Sequence, residues 1–281
     1  MQNLAHSSWQ KYDNIRLVFF DVDGTLLSTD GEYSQTLVQQ IRRLHALGIK
    51  TAIASGRPSY AAQFLINEVG IADMGVFCTG AEIYDPQKQQ HHHLHTLDNT
   101  SVRSLYRRVK ELGVYCEFYT PQYHTIDQPC DISDIHSQHL RAIPKIIDGQ
   151  SVLEGAPQLM KLLLGQKQNS ALGLQTLAEE FPELDFAFAH FLARPEWEFA
   201  SVISPLADKH QAFDQVLSYY GLQPHQVMAM GDSHSDMVFI QRAGVGVAMG
   251  NASDSVKAVA DYVTLTADED GAAFALKTLI R

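Results

Sequence analysis

The chain reads Leu17-Val18-Phe19-Phe20-Asp21-Val22-Asp23-Gly24-Thr25 at its first apolar run, which ends in two carboxylates and a glycine. Such a run predicts a buried strand of a parallel sheet that meets a loop. In open α/β sheets, ligands bind in the crevice beyond the carboxyl ends of the strands. Asp21 and Asp23 would repel each other there unless a cation or protons intervened. The placement therefore suggests a nucleophile and an acid/base partner beside a metal ion.

Two other interpretations of the same residues need to be weighed. A solvated turn with a helix cap stays open on this pentapeptide alone, because Asp and Gly dominate turns. A calcium loop is suggested by Glu32, which stands eleven residues after Asp21. That loop needs glycine at its sixth position, where this chain has Leu26, and a helix before it instead of a strand. The calcium loop is therefore excluded.

Strand and helix patterns alternate after this run. Leu37, Ile41, Leu44 and Leu47 recur at helical spacing before a stop at Gly48. A second apolar run, a second helical pattern and a third apolar run follow, at residues 49–54, 58–69 and 75–78. The pattern resumes with a helix and two strands, at residues 212–220, 227–230 and 245–249. This alternation predicts a parallel, doubly wound sheet.

The middle of the chain, residues 84–194, behaves differently. It contains a Pro-rich polar stretch and two further strand and helix patterns, around residues 159–164 and 186–191. It also contains His91, His92, His93 and His95, which look metal-binding at first sight. Beside Gln and Lys residues, they predict a solvated hairpin or loop instead. We interpret this region as a second α/β domain inserted into the first.

Composition limits the classes of partner. The 281 residues are 45% hydrophobic and 19% charged, as in an ordinary soluble globular protein. The net charge of −11 argues against nucleic acid and anionic membranes as partners, because both need a basic face. No stretch is apolar enough to span a bilayer, and the polar N-terminus shows no signal peptide. Three well-separated cysteines favour a cytoplasmic protein.

Four distant segments supply polar groups at predicted strand ends or helix starts, and each is weak evidence alone. Lys209 is also typical of a solvated surface lysine, and Ser55 of a helix cap. Together the groups provide what phosphoryl transfer needs: a nucleophile, a divalent cation, a lysine to balance phosphate charge, and donors for phosphate oxygens. The groups are Asp21 and Asp23, Ser55, Lys209, and Asp232 and Asp236.

These segments form ordered motifs. They read Asp21-Val22-Asp23-Gly24-Thr25-Leu26-Leu27, Ala54-Ser55-Gly56-Arg57-Pro58, Asp208-Lys209-His210, Gly231-Asp232-Ser233-His234-Ser235-Asp236-Met237 and, in the tail, Gly250-Asn251-Ala252. Their order resembles that of the haloacid dehalogenase-like phosphohydrolases, and within them the Cof-type branch of subclass IIB. The resemblance implies a Rossmann-like, doubly wound parallel-sheet core at 14–84 and 195–281, an inserted α/β cap domain at 85–194, and an N-terminal extension at 1–13.

The resemblance also implies a Mg²⁺-dependent phosphatase. Asp21 would attack phosphorus and form an aspartyl-phosphate, while Asp23 would protonate the leaving alcohol and then deprotonate the hydrolytic water. Asp21, Asp232 and the backbone carbonyl of Asp23 would hold Mg²⁺, with Asp236 as a further ligand or as the partner of one.

Further residues would bind the substrate. Ser55 and the backbone amides near Gly24 and Gly56 would bind phosphate oxygens, and Lys209 would offset their charge. Arg57, Ser235 and Asn251 are candidate substrate contacts. The expected partner is a small phosphorylated metabolite, above all a sugar phosphate, with pyridoxal phosphate or a nucleotide as other candidates.

Three positions depart from the pattern of the branch. Ser235 replaces an Asn in the acidic motif, Thr79 replaces an Asn after the third strand, and His210 replaces a Gly after the lysine. Two alternative functions are considered. A phosphomutase would keep the aspartyl-phosphate and return the phosphoryl group to a second hydroxyl. A sensor of phosphorylated ligands would keep the fold without turnover.

Overall fold

Two units, each with its own sheets and apolar core, make up the described part of the chain. The computed structural model describes residues 2–3, 12–155, 157–168, 173–190 and 196–281. We call one the core unit and the other the inserted unit. Where described, the core unit covers residues 1–56, 63–92 and 209–281, and the inserted unit covers residues 57–62 and 93–208.

Strands and helices are numbered along the whole chain. The core unit contains strands β1 Gln2–Asn3, β2 Leu17–Phe20, β3 Lys50–Ile53, β4 Gly75–Phe77, β5 Glu82–Asp85, β6 Gln90–Leu94 (which ends in the inserted unit), β13 Val227–Gly231, β14 Val245–Ala248 and β15 Tyr262–Val263. Its helices are α1 Gln35–Ala46, α6 Lys209–Tyr220, α7 Met237–Arg242, α8 Asp254–Val259 and α9 Gly271–Leu279. The inserted unit contains strands β7 Tyr115–Tyr119, β8 His124–Ile126, β9 Lys145–Ile146, β10 Lys161–Lys167, β11 Asp185–His190 and β12 Trp197–Ile203, and helices α2 Asn99–Leu112, α3 Asp131–Leu140, α4 Gly149–Glu154 and α5 Leu174–Glu180.

The main sheet of the core unit has the order β1-β15-β14-β13-β2-β3, and all of its pairs are parallel. Strand β2, which lies between β13 and β3, is buried along its whole length, as its four apolar residues predict. In the register, Phe20 lies opposite Met230 of β13 and Ile53 of β3. Because the strands are parallel, the residues that follow them meet at one edge of the sheet. The predicted α/β fold with a parallel-sheet core is confirmed.

The third predicted strand is present as β4, and Val76 forms a parallel bridge with Ala54, the residue after β3. Its antiparallel pairing with β5, in a small sheet of order β4-β5-β6, was not predicted. The backbone reverses after β4, where Cys78 and Thr79 have φ values of 47° and 59°. This reversal lays β5 back along β4. The histidine-rich stretch forms β6, so it belongs to a hairpin, as predicted.

The predicted helix at 58–69 is also interrupted. Residues Ser59–Ala62 form a 3₁₀ turn, and Leu65–Val69 form a π-helical turn that ends at Gly70 with a φ of 92°. Residues 57–62 belong to the inserted unit, whereas residues 63–92, which include the second half of the predicted helix, belong to the core unit. The two halves of the predicted helix therefore pack in different surroundings.

The unit boundaries differ from the expected domain boundaries. Residues 85–92 stay with the core unit because β5 pairs with β4, and residues 197–203 stay with the inserted unit because β12 pairs with β10 and β11. The expected boundary at residue 194 lies outside the described residues. Part of the expected extension at 1–13 joins the main sheet, since β1 pairs with β15.

The inserted unit is a six-stranded sheet of order β11-β12-β10-β7-β8-β9. Its pairs are antiparallel except for β8 with β9. Helices α2 and α5 bury apolar side chains such as Val102, Leu105 and Leu177 with Leu162 and Leu164 of β10. Among the described residues, no helix of either unit is both long enough and apolar enough to cross a membrane.

A buried carboxylate, Glu117 of β7, lies in the inserted unit. Tyr115 and Tyr119 donate hydrogen bonds to it, and Nδ1 of His136 lies 2.9 Å from its Oε1. Burial alone would raise the pKa of Glu117. Attraction to His136 and His124, with the hydrogen bonds from His136 and Tyr115, outweighs burial and holds the pKa at about 2. Glu117 is therefore ionised and paired inside this unit.

Candidate active site

Parallel pairing of β2 with β13 places Asp21 and Asp232 at the same edge of the main sheet. Asp21 follows β2 directly, and its backbone N–H donates to the carbonyl of Met230 at 3.0 Å. Asp232 directly follows the last residue of β13. Asp21 is buried, with 8% of its surface exposed. Two carboxylates separated by more than two hundred residues of sequence thus meet because of strand register.

Asp236 completes an acidic cluster with these two residues. Within the described residues, carboxylate oxygens of Asp21, Asp232 and Asp236 all lie within 4.8 Å of one another. Oδ2 of Asp236 accepts hydrogen bonds from the backbone N–H of Asp232 at 3.2 Å, and from the N–H and hydroxyl of Ser233 at 2.9 and 2.6 Å. These bonds fix the Asp236 carboxylate, which is 3% exposed, toward the other two.

Burial and mutual repulsion make it costly to ionise all the carboxyl groups of this cluster. Burial raises the pKa of Asp21 well above its ordinary value, and Asp236, Asp232 and Asp23 raise it further. Burial, followed by repulsion from Asp236 and Asp23, raises the pKa of Asp232 to about 7. Carboxyl groups whose ionisation is this costly need protons or a cation between them.

The donor set fits a hard divalent cation. The three side chains offer only carboxylate oxygens, which Mg²⁺ prefers over nitrogen or sulfur. Oδ1 of Asp232 is buried and has no hydrogen-bond partner among the described residues, whereas Oδ2 accepts from Asn251. A buried carboxylate oxygen without a hydrogen-bond donor costs free energy unless a cation or a proton binds it. The residues present therefore fit a Mg²⁺ ion.

Gly24 packs against this cluster and leaves no room for a side chain. Its φ of 80° lies in the left-handed region, and a Cβ added there would lie 2.4 Å from Oδ2 of Asp232. Any other residue would both strain the backbone and collide with the carboxylate. Asp23, one residue earlier, is half-buried and close enough to raise the pKa of both Asp21 and Asp232.

The loop after β3 carries Ser55 and Gly56. The N–H of Ser55 donates to the carbonyl of Val76 at 2.9 Å, and its carbonyl accepts from the N–H of Thr79 at 3.2 Å. A Cβ on Gly56 would lie 3.5 Å from the hydroxyl oxygen of Thr79. Thr79, a departure from the family pattern, therefore packs directly against the predicted phosphate-binding loop.

Lys209 is drawn to the acidic motif. It is the first residue of α6, and its Nζ donates to the carbonyl of Ser235 at 2.6 Å and lies 4.0 Å from Oδ1 of Asp236. Its side chain is 10% exposed. A solvated surface lysine would not be buried this deeply, so that alternative is wrong for Lys209. The ammonium group balances part of the negative charge of the cluster.

The three candidate substrate residues make contacts within the protein. The Arg57 guanidinium donates to the carbonyl of His139 at 2.7 Å inside the inserted unit. The hydroxyl of Ser235 lies 2.9 Å from that of Ser233 and donates to Oδ1 of Asp236 at 3.3 Å. Asn251 donates to the carbonyl of Gly24 and to Asp232. Ser235 and Asn251 thus hold the acidic loop in this structure.

Sequence reasoning missed Ser233 and Gly231. Ser233 caps the turn His234–Asp236 in a reciprocal pattern with Asp236, and a serine three residues before an acidic residue is the known signature of such a cap. A Cβ on Gly231 would lie 2.4 Å from Cβ of Asp236, which only the folded loop reveals. Thr25 lies in the first motif, and its buried hydroxyl has no hydrogen-bond partner among the described residues.

The parallel core, the inserted α/β unit and the acidic cluster at the sheet edge are the arrangement that the motif resemblance to the phosphohydrolases implies. A family model described as haloacid dehalogenase-like hydrolase matches residues 18–276, and the chain belongs to that family. The resemblance inferred from the motifs is therefore confirmed, and the protein is a phosphoric monoester hydrolase.

Two curated relatives come from Bacillus subtilis (strain 168). Phosphatase YwpJ is 27% identical over 95% of this chain and 100% of its own length. The 5-amino-6-(5-phospho-D-ribitylamino)uracil phosphatase YitU is 26% identical over 93% of this chain and 96% of its own length. A crystal structure of a haloacid dehalogenase-like hydrolase from Bacteroides thetaiotaomicron has a TM-score of 0.82 and 26% identity, and covers 94% of this chain and 98% of that one.

Proposed function

We propose that this protein is a Mg²⁺-dependent phosphatase that hydrolyses small phosphomonoesters, sugar phosphates foremost, through an aspartyl-phosphate on Asp21. The observation that carries the proposal is the convergence of buried Asp21 and Asp236 with half-buried Asp232, one carboxylate oxygen from each lying within 4.8 Å of the others, and with Lys209 at 4.0 Å from Asp236. One curated relative is named for a phosphorylated ribityl compound, which supports a phosphorylated polyol chain as the substrate class.

The chemistry divides among the residues of the core unit. Asp21 attacks phosphorus with a carboxylate oxygen, and the bond from phosphorus to the leaving oxygen breaks. Asp23 protonates that oxygen and later takes a proton from the water that hydrolyses the acyl phosphate. Asp23 is close enough to Asp21 and Asp232 to raise the pKa of both, so its carboxyl lies beside the nucleophile.

The remaining residues bind the phosphate oxygens of the substrate and the metal ion. Lys209, the Ser55 hydroxyl and the backbone amides near Gly24 and Gly56 bind phosphate oxygens. Asp21, Asp232, Asp236 and the carbonyl of Asp23 would hold Mg²⁺. When bound, Mg²⁺ neutralises carboxylate and phosphate charge that would otherwise repel. Catalysis then requires Asp21 to be ionised, although burial and its acidic neighbours raise its pKa.

Asp21→Asn tests the proposal, because it keeps the shape of the side chain and removes the nucleophile. Phosphate release from a panel of sugar phosphates should fall by several orders of magnitude, on the scale of covalent catalysis. Asp30→Asn, which changes an exposed carboxylate in the following loop, is the matched control and should keep full activity.

Two further measurements complete the test. Wild-type protein is quenched with acid while it turns over a radioactively labelled phosphate ester. It should then carry an alkali-labile phosphate that Asp21→Asn lacks. Activity should disappear after exhaustive chelation and return with Mg²⁺. An Asp21→Asn variant with a tenth of normal turnover, or full activity after chelation, would contradict the proposal. Isomerised sugar phosphate in place of free phosphate would indicate a mutase.

A further inference from the structure

Asn251 joins three separate segments of the core unit. It lies in the turn between β14 and α8, and its Nδ2 donates to the carbonyl of Gly24 at 2.9 Å and to Oδ2 of Asp232 at 3.1 Å. Its Oδ1 accepts from the N–H of Ala267 at 3.0 Å. Both ends of the side-chain amide are therefore engaged, and the Ala267 bond fixes which end faces the acidic cluster.

This geometry makes the two oxygens of Asp232 inequivalent. The amide nitrogen has two hydrogens, one for each of its two acceptors. Oδ2 of Asp232 takes one of them and packs against Gly24, where a Cβ would lie 2.4 Å away. Oδ1 is left buried and without a hydrogen-bond partner among the described residues. A partial rotation about the Cβ–Cγ bond of Asp232 would carry Oδ2 away from Asn251 and cost the amide its second acceptor.

We propose that Asn251 is a positioning residue, which orients the Asp232 carboxylate so that Oδ1 is presented to a divalent cation and which holds the Gly24 backbone against the same carboxylate. The inference rests on the proposed metal site, but it assigns Asn251 a different role from a substrate contact. The side chain is exposed, so a substrate contact is the rival role that the experiment must separate.

The experiment measures divalent-metal affinity without any substrate. Mn²⁺, a spectroscopic probe for Mg²⁺ sites, is titrated into the full-length protein and followed by electron paramagnetic resonance. Mg²⁺ is then measured by competition. Asn251→Ala removes the hydrogen bonds to the Gly24 carbonyl and to Asp232 and adds no new polar group. Asn251→Asp places a carboxylate oxygen against the same two acceptors. We expect the Kd for Mn²⁺ to rise about 10- to 100-fold, as for other residues that orient metal ligands, and to rise most for Asn251→Asp.

Asp268→Asn is the matched control. The Asp268 carboxylate accepts from the N–H and hydroxyl of Thr29 at 2.7 and 2.8 Å, so it tethers the same C-terminal loop to the segment that follows Gly24. Within the described part of the chain, the hydrogen bonds given for the Asp268 carboxylate come from Thr29 and not from a residue of the acidic cluster. Loosening this tether should leave the Kd for Mn²⁺ within about twofold of wild type, which separates orientation of Asp232 from general disorder of the loop.

The outcomes are distinct. Wild-type metal affinity in both Asn251 variants, with a raised KM for sugar phosphates, would overturn the inference and assign Asn251 to the substrate. Equal weakening in Asp268→Asn would overturn it in favour of loop stability. If wild-type protein bound no Mn²⁺ at all, the inference would fail together with the metal site of the proposed function, whereas the first two outcomes leave that function intact.

Discussion

Removing one carboxylate from the acidic cluster should stabilise the metal-free protein. Asp232→Asn preserves the shape of the side chain and an oxygen that can accept from Asn251. Burial and the repulsion of Asp236 and Asp23 raise the pKa of Asp232 from 3.8 to about 7. The folded protein therefore binds a proton more tightly than the unfolded chain between those two values, and its free energy of unfolding falls as the pH rises through that window.

The size of the effect follows from the pKa. At about 1.4 kcal/mol per pKa unit, ionised Asp232 should cost the folded protein up to about 4 kcal/mol at pH 8, but less than half of that at pH 5. Asn cannot ionise and avoids the cost. We expect Asp232→Asn to be more stable than wild type by up to about 4 kcal/mol at pH 8 in EDTA, with the gap narrowing toward pH 4.

Urea unfolding at pH 5 and pH 8, with and without Mg²⁺, measures these differences. Saturating Mg²⁺ should reverse the order, because wild type gains the binding free energy of the ion and the variant loses a ligand. Asp30→Asn, which neutralises an exposed carboxylate, controls for net charge. If Asp232→Asn were less stable than wild type at pH 8 in EDTA, or if its advantage were independent of pH, repulsion at Asp232 would not be the cause of the effect.

Three further predictions use other features. Asp23→Asn should slow sugar phosphates about a hundredfold, whereas the burst with p-nitrophenyl phosphate should change much less, because its leaving group needs no proton; equal losses in single-turnover assays would exclude Asp23 as the acid. Gly24→Ala should lose metal affinity and more stability than Gly31→Ala, since both have positive φ but a Cβ meets Asp232 at 2.4 Å only at Gly24; equal unfolding curves and metal affinities would refute the clash. Glu117→Gln should cost about 3 kcal/mol at neutral pH, because it leaves His136 without its partner, and that loss should shrink as the pH falls from about 4 toward the Glu117 pKa of about 2; a constant loss in unfolding experiments across that range would refute the charge pairing.

The sequence predicts the main sheet well because its strands are apolar runs that end in polar loops. The positions of β2, β3, β13 and β14 follow from that pattern. The antiparallel pairing of β4 with β5 does not, because the reversal between these strands depends on the left-handed backbone at Cys78 and Thr79, and neither residue type signals that conformation. The predicted helix at 58–69 fails for a related reason, since Ala61 packs with Tyr119 and Leu163 of the inserted unit.

The aspartates of the site could be predicted from sequence, whereas the residues that orient them could not. Asp21 and Asp232 stand directly after apolar strands, so position alone points to a shared sheet edge. Asn251 is different. Its partners, Gly24 and Asp232, lie 227 and 19 residues away along the chain, and only the strand register brings them together.

The pairing of β2 with β13 also has a consequence for how the chain folds. Leu17 pairs with Val227, so the strands that hold Asp21 and Asp232 can meet only after the whole intervening chain has been closed into a loop. The entropy cost of such closure grows only slowly with length, at about 0.6 kcal/mol for each doubling. The inserted unit has its own apolar core and sheet. It can therefore collapse first and shorten the effective loop. Metal-binding competence should then be gained late in refolding, together with the last long-range strand pairing, and after the inserted unit has acquired its native hydrogen-exchange protection.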